Sequence, residues 1–248
     1  MARIGRVVWT ILSIFIVQSL VFGFAVLPAF LFWSFIQHWP LTRSQESVIE
    51  PAIIAMSLVP AYLVFAVALI LLSAWSTRIL GWRTADAAAW RLADLEWPLL
   101  KWSRYMMSTH MVRVLVGTVF RSSPLWTWYL RLNGARIGKG VYINSLSISD
   151  HNMLEFGDGV VIGENVHLSG HTVEGGFVKT GRVRLGRGVT VGLGSMVGIG
   201  VDAGAGCQIG ALSVVPKHSV LAPGGVYVGV PARRLERDAP GPSAVEVG

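Results

Sequence analysis

Cysteine is nearly absent from this chain, and one common nucleophile motif is missing. Cys207 is the one cysteine among 248 residues, which excludes a disulfide within the chain. It falls on a repeat position described below, so a small core residue is its expected role. No Gly-x-Ser-x-Gly motif occurs in the sequence, which favours direct chemistry over a covalent enzyme intermediate.

Charge is also scarce, and two stretches lack it altogether. Charged residues make up 14% of the chain, and none occurs from 7 to 36 or from 52 to 77. Either run exceeds the roughly 20 apolar residues that cross a bilayer core. The first is too long for a signal-peptide core, so we expect no cleavage. The sequence predicts a two-span membrane hairpin over 1–80; the alternative is two buried helices of a soluble domain.

The basic residues predict the orientation of this hairpin. Both outer flanks are basic, whereas the intervening loop is neutral to acidic. The flanking residues are Arg3 and Arg6 before the first run and Arg78, Arg83 and Arg91 after the second; the loop holds His38, Arg43, Glu46 and Glu50. The positive-inside rule then predicts a multi-pass cell-membrane protein with both termini, and the domain that follows the hairpin, in the cytoplasm. A net charge of +7 suits a bilayer partner, and we expect no nucleic-acid partner, because no such motif is present.

A tryptophan-rich connector follows over 81–135. Seven of the ten tryptophans lie from Trp75 to Trp128, which is typical of an interfacial aromatic belt. Apolar residues recur there at helical spacing: Leu92, Leu95, Leu99, Trp102 and Met106. We predict an amphipathic helix on the membrane surface, with Pro98 as a point of interruption. The alternative is a helix packed on the domain that follows.

A six-residue period dominates the remainder of the chain. Apolar residues recur at Phe156, Ile162, Leu168, Leu185, Val191, Val197, Ala203, Ile209 and Val215, most of them followed by glycine. A period of six is neither 3.6 nor 2, and it is the signature of a hexapeptide β-helix with coils of roughly eighteen residues. This predicts a parallel β-helix domain over 136–235, followed by a disordered tail over 236–248 that is rich in Pro, Gly and Ser.

The six-residue phase breaks twice. From Ile137 to Phe156 is nineteen residues, one more than a coil, and from Phe156 to Leu185 is twenty-nine, eleven more than a coil. Insertions in a regular solenoid become surface loops, which often carry function. The functional residues are therefore expected in these two loops.

Candidate catalytic residues lie in both loops. His171 in the longer one is a candidate general base, with Glu174 to orient its ring. Asp150 and Asn152 lie in the shorter loop as orienting or acceptor residues. The competing histidines are His151, His167 and His218. A ligand set shared between coils should recur near multiples of eighteen residues. His151, His167 and His171 differ by sixteen and four, and His218 lies forty-seven further on, which argues against a zinc site, so no metal is expected.

These residues resemble the left-handed β-helix (hexapeptide-repeat) acyltransferases. The resemblance covers roughly 133–235 and rests on NGARIGKGVYI, FGDGVVIGENVHL with the histidine loop after it, and VYVGVPARRL. It implies a left-handed parallel β-helix and a phosphopantetheine thioester donor, either acyl-CoA or a carrier protein. The expected donor contacts are backbone amides near Ser195, Ala211 and Ser213, with Lys217 and Arg233 near phosphate. The alternative for these two basic residues is a solvated basic cap that faces lipid headgroups. It also implies a homotrimer with sites between subunits.

The whole chain is similar to one repeat unit of the ε-poly-lysine synthetase-type nonribosomal peptide synthetases. The matching elements are the two spans, the connector, Gly117-Thr118, the segment Leu130 to Gly138 and the loop SGHTVEGGFVK. This likeness implies a catalytic role for His171. The chain departs from the family at Asn152, where an acidic residue is frequent.

Three functions follow as expectations. The first is a membrane-anchored acyltransferase that moves an acyl or aminoacyl group to an amine or hydroxyl acceptor. The second is a detached condensation unit of a nonribosomal peptide system, with an adenylation–carrier protein as partner. The third is a non-catalytic membrane scaffold, because a fold alone does not establish activity.

Overall fold

Two long antiparallel helices form the first part of the computed structural model, which describes residues 2–39 and 49–236. Helix α1 spans Ala2–Gln37 and helix α2 spans Ile49–Ile79. Both are long and apolar enough to cross a membrane. They pack on each other through small residues such as Ala25 and Ala66, which are fully buried. Most of their large apolar side chains are exposed instead. Arg43 and Glu46, and all of the expected tail except Glu236, lie outside the described residues.

The connector differs from the single helix that its apolar spacing predicts. It contains strand β1 (Ala89–Arg91), a 3-10 turn (Leu92–Asp94), helix α3 (Trp97–Val112), a π-helical segment (Arg113–Gly117), helix α4 (Thr118–Phe120) and helix α5 (Pro124–Leu132). Leu92 and Leu95 therefore lie outside the helix. Leu95 has a left-handed backbone, and Pro98 lies in the first turn of α3, where proline is well tolerated.

Helix α3 runs alongside the first half of α1 in the same direction. The Nε atom of Arg104 donates to the Ser13 hydroxyl at 2.8 Å, and one turn further on the Gln18 amide donates to Ser108 at 2.6 Å. Near the start of both segments, Arg3 and Asp94 form an ion pair at 3.5 Å. The connector thus packs against the helical hairpin and, as shown below, against the β domain. Its position on a membrane surface stays a prediction.

Short parallel strands build the β domain, and they stack with the predicted offset. Val191 pairs with Ile209, eighteen residues further on, and Ala203 pairs with Leu221 in the same way. The repeat residues point inward and are buried, and β16 ends the stack by pairing antiparallel with β17. The strands are β2 (Arg136–Ile137), β3 (Tyr142–Ile143), β4 (Leu154–Phe156), β5 (Val161–Ile162), β6 (His167–Leu168), β7 (His171–Glu174), β8 (Phe177–Thr180), β9 (Val183–Leu185), β10 (Thr190–Val191), β11 (Met196–Val197), β12 (Asp202–Ala203), β13 (Gln208–Ile209), β14 (Val214–Val215), β15 (Val220–Leu221), β16 (Val226–Val228) and β17 (Arg233–Arg234).

The strands form three parallel sheets, one for each face of the stack. Their orders are β17-β16-β13-β10-β5-β3, β14-β11-β6 and β15-β12-β9-β4-β2, in which only the β16–β17 pair is antiparallel. A fourth, antiparallel sheet has the order β1-β8-β7 and joins the connector to the long insertion. The prediction of two long apolar helices followed by a β-rich domain is confirmed.

Both breaks in the six-residue phase fall at the same corner of consecutive coils. Ile148 forms a parallel bridge with Leu168, so these two residues lie on one face of the stack. Phe156 pairs with Leu185, and these two lie together on the next face. The shorter insertion lies between Ile148 and Phe156 and forms a 3-10 turn (His151–Met153). The longer one lies between Leu168 and Leu185 and forms the β7–β8 hairpin. The two loops are therefore direct neighbours.

Candidate functional site

The Asp150 carboxylate contacts the His171 ring at the corner where the two insertions meet. The distance from Oδ2 of Asp150 to Nδ1 of His171 is 2.5 Å. The Asp150 side chain is fully buried, whereas 19% of the His171 side chain is exposed. A buried carboxylate thus holds one ring nitrogen while part of the ring remains open to solvent.

Local backbone geometry allows this contact. Asp150 has a left-handed backbone with φ 52°, a conformation that aspartate tolerates better than most residues. Gly170, immediately before the hairpin, lies against the 3-10 turn. A Cβ atom there would lie 2.6 Å from Cβ of Met153 and 2.9 Å from Cβ of Asp150. The two insertions can approach this closely only because residue 170 has no side chain.

Four hydroxyl and indole groups complete the shell around the Asp150 carboxylate. Oδ1 accepts from the Thr84 hydroxyl at 2.5 Å and from Nε1 of Trp102 at 3.1 Å. Oδ2 lies 3.1 Å from Oγ of Ser169 and 3.3 Å from Oγ of Ser149. Because Thr84 and Trp102 belong to the connector, the connector and the β domain build this site together.

The surroundings of Asp150 favour its ionised form. Burial by itself would raise its pKa, but the hydrogen bond and charge of His171, with the donors Thr84 and Trp102, lower the pKa below its ordinary value. An ionised carboxylate can only accept, so Nδ1 of His171 carries the hydrogen. When the ring is neutral, Nε2 then carries the free lone pair, which is the arrangement that a general base requires.

Further aromatic and basic groups surround His171. The Trp102 ring meets the imidazole edge-on, with 4.9 Å between ring centroids. Partial burial lowers the pKa of His167, and the charges of His171 and Arg113 lower it further. Arg113 donates to Nδ1 of His110 at 2.6 Å.

Glu174 does not orient the His171 ring, contrary to the expectation from the sequence. It lies at the far end of β7 and pairs with Lys179 at 2.9 Å and with Lys217. These two hydrogen bonds lower the pKa of Glu174 to about 2. The reason is geometric, because β7 is extended and carries Glu174 three residues away from His171. Its contacts tie the hairpin tip to a later coil.

Asn152 lies on the other side of the 3-10 turn. Its amide donates to the backbone carbonyl of Thr84 at 2.8 Å, and its carbonyl accepts from the Thr84 amide at 3.3 Å. The structure gives it no contact with His171. Asn152 therefore positions Thr84, which in turn donates to Asp150.

The expected donor-binding residues divide into buried and exposed groups. Ser195 and Ser213 point into the coil and are fully buried, with Oγ of Ser195 donating to the Gly210 carbonyl at 2.8 Å. Their side chains therefore support the backbone. Ala211, Lys217 and Arg233 are exposed, but Lys217 pairs with Glu174. None of these five contacts the Asp150–His171 pair.

Over the described ranges 2–39 and 49–236, no group of three His, Cys, Asp or Glu side chains is arranged to hold a metal ion. His151 is separate from His171, since it is fully buried between the rings of Tyr105 and Tyr129. Burial lowers its pKa to about 4. It therefore belongs to the core.

Sequence reasoning missed Thr84, Trp102, Ser149 and Ser169. Trp102 falls on the apolar stripe of the connector, and Thr84 lies 66 residues from the carboxylate that it contacts. One available signal was the placement of both phase breaks between the same two faces of consecutive coils. That alignment would have brought Asp150 beside His171 and, with it, the flanking serines.

The chain shares limited similarity with curated proteins. No protein-family model matches it. It is 26% identical over 136 residues to a delta-poly-L-ornithine synthetase from Acinetobacter baumannii, which covers 55% of this chain and 10% of that protein. The chain thus spans about a tenth of the length of this relative.

Several solved acetyltransferases resemble parts of the chain. A hexapeptide-repeat acetyltransferase from Vibrio cholerae, complexed with acetyl-coenzyme A, is 25% identical, with a TM-score of 0.37 over 42% of this chain and 60% of its own. A maltose O-acetyltransferase from Clostridium difficile is 16% identical, with a TM-score of 0.42 over 62% of this chain and 98% of its own. A serine acetyltransferase from Neisseria gonorrhoeae is 20% identical, with a TM-score of 0.37 over 73% of this chain and 74% of its own.

Proposed function

We propose that this chain is an acyltransferase in which His171 is the general base and Asp150 its orienting partner. The observation that carries the proposal is the 2.5 Å contact between the buried Asp150 carboxylate and Nδ1 of His171, which leaves Nε2 free. A scaffold has no need of an ionised carboxylate buried at the base of an inserted hairpin. General-base assistance of this kind contributes about 10²–10⁴-fold to a rate.

The proposed reaction is direct transfer from a phosphopantetheine thioester, borne by coenzyme A or by a carrier protein. Nε2 of His171 takes a proton from the acceptor amine or hydroxyl as the acceptor attacks the thioester carbonyl carbon. The new C–N or C–O bond forms, the C–S bond breaks, and the proton passes from His171 to the leaving thiolate. Asp150 stabilises the imidazolium that forms between these two proton transfers.

The identity of the donor divides this proposal into two forms. A free-standing enzyme would use acyl-CoA, whereas a condensation unit would join an aminoacyl group from a carrier protein to an amine. The likeness to a delta-poly-L-ornithine synthetase supports the second form, because the name of that protein describes a polymer of an amino acid. In that form an adenylation–carrier protein supplies the donor.

The cellular arrangement belongs to the same proposal. We infer that α1 and α2 span the cell membrane with both termini in the cytoplasm, and that the β domain is a left-handed parallel β-helix that assembles as a homotrimer. Two apolar helices of sufficient length support the spans. The ion pair between Arg3 and Asp94 supports a common side for the N-terminus and the β domain.

The test is donor turnover by the purified full chain, followed as free thiol release and as product mass. Acetyl-CoA and an ornithine-charged carrier protein are offered separately, each with a panel of amines and hydroxyl compounds. We expect turnover with one donor and a loss of about 10²–10⁴-fold in His171→Ala. His218→Asn is the matched control, because His218 is exposed, lies outside the site and has a left-handed backbone that asparagine tolerates.

The result that would overturn the proposal is a His171→Ala enzyme that turns over as fast as the parent protein. Activity in His218→Asn and inactivity in His171→Ala, with unchanged thermal unfolding of both, would support it. The donor that is consumed identifies which of the two forms is correct.

A further inference from the structure

A large basic cavity adjoins the site, because Thr84, whose hydroxyl donates to Asp150, is part of its lining. It has a volume of about 1010 Å³ and is lined by the end of α2, the connector and the first coils of the β domain. Thr84 and Asn152 form part of its wall. The proposed transfer reaction does not use this space, so it requires a separate explanation.

The charge of the cavity wall is strongly positive. Five basic side chains line it, namely Arg78, Arg83, Lys101, Arg136 and Arg182, whereas Asp86 is the one carboxylate in the lining. Arg136 and Arg182 pair with Glu155, and Arg182 also pairs with Asp86. Within the described part of the chain, Arg78, Arg83 and Lys101 have no ion pair. Three cations without carboxylates around one cavity favour an anionic ligand.

The basic side chains alternate with flat apolar ones. Trp82, Trp90 and Trp97 line the same cavity. Behind two of them lies Arg104, a buried cation whose guanidinium is 5.9 Å from the Trp82 ring centroid and 5.7 Å from that of Trp97. Its Nε donates to a serine hydroxyl, not to a carboxylate, so its charge adds to the positive potential.

The location of the cavity relates it to the apolar helices. Thr77 and Arg78 from the last turns of α2 line it, and Gly81 to Ala85 continue the wall directly beyond the helix end. Tryptophan and arginine at the end of an apolar helix are the residues that contact lipid headgroups. A ligand with an anionic head and an apolar remainder fits this arrangement.

We propose that this cavity binds a phosphate ester at the end of α2, with Arg78, Arg83 and Lys101 around the phosphate and the tryptophans beside its uncharged part. The position favours the headgroup of a membrane lipid as the source, although a soluble phosphate ester has the same recognisable chemistry. This cavity is distinct from the Asp150–His171 pair, although the segment around Thr84 contributes to both. The inference does not rest on the transfer reaction.

The test is binding to the purified full chain in detergent, measured by native mass spectrometry without any acyl donor. Phosphatidic acid and phosphatidylcholine with the same acyl chains are compared, and glycerol 3-phosphate serves as the soluble phosphate ester. We expect phosphatidic acid to bind at least about tenfold more tightly than phosphatidylcholine, and a double variant, Arg83→Gln with Lys101→Gln, to weaken it at least about tenfold.

The matched control is Lys139→Gln with Arg187→Gln, which removes the same charge from exposed turns of the β domain outside the cavity. Equal binding of the two lipids, equal weakening by both double variants, or no weakening by the cavity variant would overturn the proposal. Tighter binding of phosphatidic acid than of glycerol 3-phosphate identifies a lipid ligand, and equal binding of these two identifies a soluble phosphate ester as the ligand. Because no donor is present, neither outcome depends on whether the chain transfers acyl groups.

Discussion

Oδ2 of Asp150 lies 2.5 Å from Nδ1 of His171 although the two residues belong to different coils and to different insertions. The carboxylate is fully buried and the imidazole is partly exposed. This pairing fixes which nitrogen carries the hydrogen, and so it fixes which nitrogen can accept a proton from substrate. It is the relationship on which the proposed chemistry most depends.

Asp150→Asn is expected to abolish most of the activity while the protein stays folded. An asparagine amide can donate to Nδ1, which would move the ring hydrogen to Nε2 and remove the base. We expect donor turnover to fall about 10²–10⁴-fold, measured as thiol release. Asp202→Asn, a change at an exposed position of the β domain, is the control and should retain activity. Turnover of Asp150→Asn near the parental rate would argue against the assigned role of the pair.

Glu174→Gln is expected to change activity by no more than a few fold. The sequence suggested that Glu174 orients His171, but its partners are Lys179 and Lys217. Exposed ion pairs contribute little, so the melting temperature should also change little. Kinetics of this variant beside Asp150→Asn would separate the two carboxylates. A loss as large as that of Asp150→Asn would restore Glu174 as the orienting residue.

The repeat positions could be predicted from sequence because a single physical constraint determines them. Each coil must place an apolar side chain inside, so residues such as Val191 and Ile209 recur with the six-residue period and pair in the structure. The long apolar helices follow from composition in the same way. Both features are encoded within a short window of sequence, and no long-range contact is needed to recognise them.

The site could be predicted only in part because its geometry depends on long-range contacts. His171 stood out as the histidine of the long insertion, and Asp150 as a residue of the short one. Thr84 and Trp102, however, reach Asp150 only because the connector folds back over the β domain. The expected start of the connector helix was wrong for a local reason, since Leu95 adopts a left-handed backbone and α3 begins at Trp97.

Gly170→Ala is expected to separate the two halves of the site. A methyl group at this position would lie 2.6 Å from Met153 Cβ and 2.9 Å from Asp150 Cβ, so one insertion must move. Displacement of a catalytic group by about 1 Å costs on the order of 10²-fold in rate, and we expect a loss of that size. Gly5→Ala, where an added Cβ meets nothing within 4 Å, is the control. Equal activity of the two variants would show that the corner tolerates the methyl group.

Thr84→Val is expected to lower the free energy of unfolding and to change how activity and stability depend on acid pH. The change keeps the side-chain shape but removes the hydroxyl that donates to Oδ1 of Asp150 at 2.5 Å. A buried acceptor that loses its donor costs about 1–3 kcal/mol of unfolding free energy, measured by denaturant titration in detergent.

The same hydroxyl helps to lower the pKa of Asp150, so the variant should have a higher one. An aspartate with a depressed folded pKa contributes stability above its unfolded pKa, and that stability is lost as pH falls through the folded value. Activity that requires ionised Asp150 should therefore be lost at higher pH in Thr84→Val than in the parent protein, whereas the contribution of Asp150 to stability that is lost in acid should be smaller in the variant. Superimposable pH profiles would exclude a role of Thr84 in holding Asp150 ionised.

His151 is expected to make the fold sensitive to mild acid. Burial between Tyr105 and Tyr129 lowers its pKa from 6.5 to about 4, and Nδ1 has no hydrogen-bond partner among the residues that the structure describes. The unfolded chain binds a proton near pH 6.5 whereas the folded chain does not, so stability falls as pH decreases from about 6.5 to about 4. The contribution that is lost over this window is about 3 kcal/mol, because each unit corresponds to about 1.4 kcal/mol.

The measurement is the unfolding free energy at several values between pH 7 and pH 4, compared between the parent protein and His151→Gln. Other acidic groups, including Asp150, titrate in both proteins, so the difference between the two curves isolates the imidazole. The neutral glutamine should flatten the curve over this window, whereas His218→Asn, at an exposed histidine, should leave it unchanged. Parallel curves for the parent protein and His151→Gln would mean that His151 is protonated as easily in the fold as outside it, and that the buried core around the two tyrosines admits water.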